Sequence, residues 1–279
     1  MKKHLIILFA FLLANFVGYS QVDVNNELKP FYSFYLNKKI NYRWAIDNYS
    51  VFSMKSFKHD FWLAQFNFGA NYRINRFYTF SFGYGIAFYK YGNATWWERH
   101  YPDISPNFMN TAGFNSLNLM IKRNDNIGTK FRLSNRFIIQ SYFPKFEKYQ
   151  TRLQYNVKFN YRKNDLPAKL KPYVQGALYF YRKGVPIDYY DDNFNIIETS
   201  SPNGLHRYRL KFGTSINPFP KNNKLRFVLY FALNREFNIS WLGNDLNTPR
   251  PSSTGNTIFT SYPFNNYDIL GFQVNYFFK

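Results

Sequence analysis

From Thr129 to Arg162 the chain alternates twice between apolar and polar residues, and this alternation constrains the fold more than any other feature. Phe131, Leu133, Phe137 and Ile139 are interleaved with Lys130, Arg132, Ser134, Arg136 and Gln140; Leu153, Tyr155, Val157, Phe159 and Tyr161 are interleaved with Arg152, Gln154, Asn156, Lys158 and Arg162. Successive side chains on a strand point to opposite faces, so the stretch reads as a hairpin with one apolar face and one polar, basic face. Its strands exceed the usual length of about five or six residues. They approach the roughly 9 to 11 residues that a tilted strand needs to cross a bilayer.

Composition supports a sheet that faces lipid. Aromatic residues make up 23% of the 279 positions, with 33 Phe and 25 Tyr. One core cannot bury so many, but the outside of a barrel can display them, with aromatic girdles at both interfaces. The mean hydropathy is negative, which excludes a bundle of transmembrane helices. Cysteine is absent, so disulfides, a thiol nucleophile, a thiolate metal site and a lipidated N-terminal Cys are all excluded. No linker, low-complexity segment or repeat beyond the hairpin divides the chain, which reads as one large domain.

Residues 1–20 have the pattern of a signal peptide: Lys2 and Lys3, the apolar run Leu5 to Phe16, then Val17, Gly18, Tyr19 and Ser20, with small residues at the positions a signal peptidase reads. The apolar run is too short to span a bilayer as a helix, which disfavours a retained anchor. Cleavage after Ser20 leaves residues 21–279 as the barrel domain, and loss of Lys2 and Lys3 takes the formal charge from +20 to +18.

Two-faced segments recur along the rest of the chain. Glu27 to Leu36 reads as a first strand turned by Asn37, Lys38 and Lys39, which sets Asp47 of the next segment opposite Lys29 as a cross-strand ion pair. In Tyr78 to Phe88 the aromatic face alternates with Ser81, Gly83, Gly85 and Ala87, small residues that leave room for a neighbour's long side chains. Tyr173 to Arg182 is less cleanly two-faced. Connections alternate short and long. Eleven segments are legible, whereas single-chain bacterial barrels usually have an even number. With Val22 to Asn26 or Thr257 to Ser261 as the missing piece, the expectation is about twelve strands, with ten as the alternative.

The last segment places Leu270, Phe272, Val274, Tyr276 and Phe278 at alternate positions, one residue before Lys279. Together with the leader, the alternation and the loop asymmetry, this ending resembles the single-chain outer-membrane β-barrel proteins of Gram-negative bacteria. More narrowly, it is similar to barrel families known only as domains of unknown function. The resemblance implies an all-β, transmembrane, antiparallel up-and-down β-barrel in the cell outer membrane, with short periplasmic turns and long outer loops. It also implies outer-membrane lipid, lipopolysaccharide and the barrel assembly machinery as partners, with Leu270, Phe272, Val274, Tyr276 and Phe278 as the assembly signal.

The chemistry lies on the polar face. By alternation the lumen receives Arg43, Arg73, Lys122, Lys130, Arg132, Arg136, Arg152, Lys158, Arg162, Arg207, Arg209, Lys211 and Arg226, against Asp47 and Glu236 as inward acids. Unpaired cations in a narrow cavity repel one another and call for water, bound anions or acidic loops. Arg132, Arg136, Arg152, Lys158, Arg207, Arg209 and Lys211 are therefore expected to line a channel or binding site for small anions. A second reading has the same Arg side chains filling a small barrel, stacked on Tyr and bonded to Asn and Gln, in a structural or assembly component of the membrane. An outer-membrane hydrolase ranks last. His59, His100 and His206 sit in no recognisable motif, although His206 lies within cross-strand reach of Glu236. No cofactor or metal is expected, because Asp188, Asp191 and Asp192 lack calcium-loop spacing. The pI of about 9.8 matches lipopolysaccharide phosphates at this address better than nucleic acid.

Overall fold

The computed structural model describes residues 27–55, 60–90, 111–145, 148–190, 193, 195–219, 224–239, 242–244, 246, 249–251, 258–260 and 264–278. Its strands are β1 (Glu27–Lys39), β2 (Trp44–Lys55), β3 (Asp60–Arg73), β4 (Tyr78–Lys90), β5 (Thr111–Ile127), β6 (Phe131–Phe143), β7 (Thr151–Tyr161) and β8 (Lys171–Arg182). There follow β9 (Ile187–Tyr190), β10 (Ile196–Ser200), β11 (Gly204–Ile216), β12 (Leu225–Glu236), β13 (Pro249–Pro251), β14 (Ile258–Thr260) and β15 (Tyr267–Phe278). Eleven of them close a barrel in the order β1-β15-β12-β11-β8-β7-β6-β5-β4-β3-β2.

The count corrects the expected twelve strands, and equally the alternative ten. Val22 to Asn26 lies outside the described residues, and of Thr257 to Ser261 only β14 is described, paired with β13 in a separate two-stranded sheet. The expectation of a wholly antiparallel wall is corrected as well. With an odd number of up-and-down strands the first and last run the same way, so the seam between β1 and β15 is parallel, from Glu27 opposite Tyr267 to Lys38 opposite Phe278. The even-number expectation presupposes antiparallel closure. Every other pair in the wall is antiparallel.

Asparagine side chains set two of the tight turns. Asn41 Oδ1 accepts from the backbone N–H groups of Arg43 and Trp44 at 2.9 and 2.8 Å, and Asn75 Oδ1 accepts from Phe77 and Tyr78 at 2.8 and 2.9 Å, a side-chain mimic of a backbone turn. The first turn thus falls at Asn41, after Lys39. Asp47 consequently pairs with Asn37 and not with Lys29, whose ammonium instead lies 4.6 Å over the Tyr267 ring.

The wall has the two faces that the alternation requires. Tyr32, Phe34, Phe80, Phe82, Leu117, Leu119, Phe231 and Phe272 are exposed on the outside; Phe66, Leu133, Tyr155 and Leu210 share that face by alternation and register. The core is the interior of the barrel. One buried cluster joins Phe31, Val51, Leu63, Val228, Ala232 and Ile269 with Tyr173, Tyr230 and Tyr267, an apolar patch on the inner wall among polar residues such as Ser33, Asn234 and Asn275. A second cluster at one end combines Tyr142, Tyr179 and Tyr181 with Tyr149, Leu246 and Phe264 from connecting segments. Among the described residues, the turn rim carries 40–43, 74–77, 128–130, 162–170 and 217–219; the opposite loop rim carries 144–145, 148–150, 183–190, 195–203, 237–239, 242–244 and 264–266. At the loop rim the backbones of Gly204 and Gly243 bridge. A Cβ on either would overlap backbone atoms of the other segment, so glycine is required at this crossing.

Candidate functional site

The basic lumen divides into two tiers. Next to the loop rim, Glu236 is fully buried and faces Arg207 directly across the β11–β12 pair. Its carboxylate accepts from Lys148 Nζ at 2.6 Å, the Tyr181 hydroxyl at 2.9 Å and the Asn265 backbone N–H at 2.7 Å, and it forms an ion pair with Arg207. Lys148 belongs to the β6–β7 connection, so this contact carries the loop across the mouth to the far wall. Beside it, burial pushes the Tyr149 hydroxyl well above its ordinary range.

Arg152 and Arg209 are held between these groups and the middle of the barrel. Arg152 donates to Gln140 Oε1 at 2.6 and 3.1 Å and to the Tyr142 and Tyr149 hydroxyls, each at 3.1 Å, with its guanidinium 5.2–5.7 Å from the rings of Tyr142, Tyr149 and Tyr179. Arg209 donates to Asn234 Oδ1 at 3.1 Å and lies 5.6 Å from the Tyr179 ring. Both therefore act as packed, hydrogen-bonded wall residues, as the filling reading requires. The tyrosines explain why β8 alternates poorly in sequence: Tyr173, Tyr179 and Tyr181 point inward and are buried.

Nearer the turn rim the arrangement changes. Lys122 lies directly opposite Arg136, which lies opposite Asn156. One step along, Lys158 and Lys211 flank Gln175 from its two sides. Two matching stacks hold the lysines. Lys158 Nζ sits 3.6 Å over the ring of Tyr173, which packs on Gly213 of β11; Lys211 Nζ sits 3.6 Å over Tyr230, which packs on Gly271 of β15. A Cβ at Gly213 would come within 2.7 Å of the Tyr173 ring, and one at Gly271 would overlap the ring carbons of Tyr230. The glycines let each ring lie down on the wall, so that the ammonium projects into the lumen. Among the described residues Lys122, Arg136, Lys158 and Lys211 have no ion-pair partner, yet each retains accessible surface while pointing inward. Together these partly accessible, acid-free residues make up an open tier.

The anion-lining set expected from sequence is thus inward throughout but not one site. Arg207 is neutralised by Glu236, Arg152 and Arg209 are stacked, Arg132 is near the turn rim with Asn126 Oδ1 at 3.5 Å, and Arg136, Lys158 and Lys211 form the open tier. Arg43, Arg73 and Lys130 are corrections: they stand exposed at the turn rim, Arg43 and Lys130 in turns that fall later than the alternation implied and Arg73 as the last residue of β3. Lys122 joins the tier through its pairing with Arg136. Gly213 and Gly271 were missed; isolated inward glycines in strands are the signal that marks them. Leu270, Phe272 and Phe278 are exposed on the outer face, with Val274 and Tyr276 between them.

His206 does not pair with Glu236. It is buried at an irregularity of β11, with Nδ1 3.3 Å from the Phe237 carbonyl and Nε2 3.1 Å from that of Asn203, while the carboxylate serves Lys148 and Arg207. His59, His100, Asp191 and Asp192 lie outside the described residues. Among those described, no three His or acidic side chains converge as a metal site would require. In comparisons with known proteins, no family model and no curated protein matches the sequence.

Proposed function

We propose that the chain is an outer-membrane β-barrel, exported through a leader of residues 1–20, whose basic lumen conducts or binds small anionic solutes. The observation that carries this reading is the open tier, where inward cations keep accessible surface with no acid beside them. A closed wall leaves no unpaired edge for lipid to satisfy, and the exposed aromatic exterior suits a bilayer. On this reading the turn rim is periplasmic, the loop rim faces outward, lipid and lipopolysaccharide surround the wall, and the barrel assembly machinery reads Leu270 to Phe278. The test is conductance of the refolded full chain in planar bilayers. Anion-selective current that falls in preference when Arg136 and Arg152 are both replaced by Gln supports the channel, and its weakening with salt follows from screening. Absence of current in both proteins refutes conduction.

A structural role is the second reading. The packing of described loop-rim residues favours it, where Lys148, Tyr149, Leu246 and Phe264 are buried.

A further inference from the structure

The open tier has more definition than a generally positive lumen. Lys122, Arg136, Asn156, Lys158, Gln175 and Lys211 occupy contiguous positions on β5, β6, β7, β8 and β11. Each is three to five residues from the turn end of its strand. The three lysines all lie in the electrostatic field of Arg136, so like charges are gathered without a carboxylate to offset them. Asn156 supplies an independent observation. It is 1% exposed, its Oδ1 accepts from Gln154 Nε2 at 2.7 Å and from Gln175 Nε2 at 3.4 Å, and its Nδ2 is buried without any partner. A buried donor left unpaired is destabilising, and the residue directly facing it across β6–β7 is Arg136, a cation that cannot accept. An acceptor-rich ligand is what the arrangement lacks.

We infer that Lys122, Arg136, Asn156, Lys158 and Lys211 form a binding site for a doubly charged oxyanion, a phosphate or phosphomonoester, entered from the turn rim. This rests on the reading of the chain as an outer-membrane barrel with a basic lumen. Among the described residues the Glu236 cluster is buried, whereas the cations of the tier keep accessible surface. A phosphate offers several oxygens and a charge of about −1.5 to −2 near neutral pH, enough to engage cations on different strands at once. A halide or a single carboxylate cannot satisfy the separated ammoniums and also accept from Asn156 Nδ2. Lipid headgroups are excluded by position, since the residues face inward.

The experiment is calorimetric titration of inorganic phosphate into the full chain, refolded in detergent at low ionic strength, with chloride as the weakly competing control. Replacing Arg136 and Lys158 by Gln is expected to weaken phosphate binding at least tenfold, while Arg43→Gln, on an exposed turn, leaves it unchanged. Asn156→Asp places a carboxylate among the cations and is expected to abolish binding in a folded barrel; it serves as the readout if the double variant does not refold. Equal phosphate affinity in the parent and in Asn156→Asp overturns the site, as does equal competition by chloride and sulfate. Anion-selective current with no phosphate binding retains the lumen reading and removes the site. Phosphate binding lost on substitution, with no current in bilayers, retains the site as a closed receptor and removes conduction.

Discussion

Replacing Glu236 by Gln tests the most heavily connected group in the barrel. Its carboxylate is the counter-charge for Lys148 and Arg207, each only 7% exposed, and it also accepts from Tyr181 and from the backbone of Asn265. Gln preserves shape and part of the hydrogen bonding but leaves two cations buried without an anion. Removing one member of a buried ion pair costs about 3–5 kcal/mol. With a denaturant slope of about 3 kcal/mol/M, this corresponds to a urea midpoint lowered by roughly 1–1.7 M. The measurement is urea unfolding of the refolded chain, followed by heat-modifiable gel migration and tryptophan fluorescence. Lys148→Met is expected to cost less, because Arg207 still neutralises the carboxylate, and the double variant Lys148→Met, Glu236→Gln is expected to be more stable than Glu236→Gln alone. A midpoint for Glu236→Gln within about 0.2 M of the parent, well below the shift expected for a broken buried pair, would refute the assignment of Glu236 as a buried counter-charge.

Gly271→Ala drives a methyl into the Tyr230 ring and should lower the unfolding midpoint by the equivalent of about 1–3 kcal/mol; Gly113→Ala, where a Cβ meets only Phe88 carbons at 3.7–3.8 Å, should be tolerated, and equal effects would refute the stacked arrangement. At the turn rim the Tyr161 hydroxyl donates to both oxygens of Asp165 at 2.5 and 2.7 Å, holding its carboxyl below the usual range. Such a depressed value contributes stability above the unfolded pKa of about 3.9, lost as pH falls through the folded value. Asp165→Asn should therefore lower the midpoint slightly near pH 6 and converge with the parent at strongly acid pH; a constant difference would contradict this.

Period-two alternation made the wall legible because each face of a strand meets one environment. Pairing the hairpin about its loop at Phe143 to Lys148 sets Arg136 beside Asn156, Gln140 beside Arg152 and Lys130 beside Arg162, and the structure holds the same pairs. What failed depended on the interior being mixed. Tyr173, Tyr179 and Tyr181 have the composition of an outward face but point inward, because arginines and lysines need flat partners there. Val51, Leu63 and Ile269 face inward in an apolar cluster of the lumen, which alternation alone assigns to no particular side. The division of the cations into neutralised, stacked and open groups was beyond sequence, since Lys148 meets Glu236 across 88 positions of chain. The odd strand number was legible as a segment count, and the parity expectation overrode it.

The parallel seam bears on the order in which the wall can be completed. Ten antiparallel neighbour pairs link the strands, and most join strands adjacent in sequence, so they can zip from a nearby turn. The β1–β15 pair cannot, because no hairpin templates a parallel ladder, and Glu27 must find Tyr267 240 positions later. Until then the chain is a curled ribbon with two bare edges, one on β1 and one on β12. β15 satisfies both together, antiparallel on one flank and parallel on the other. Such non-local closure is the slow part of building a sheet. A parallel ladder is also slightly weaker per residue, so the line along which the cylinder closes last is also the line along which it parts first.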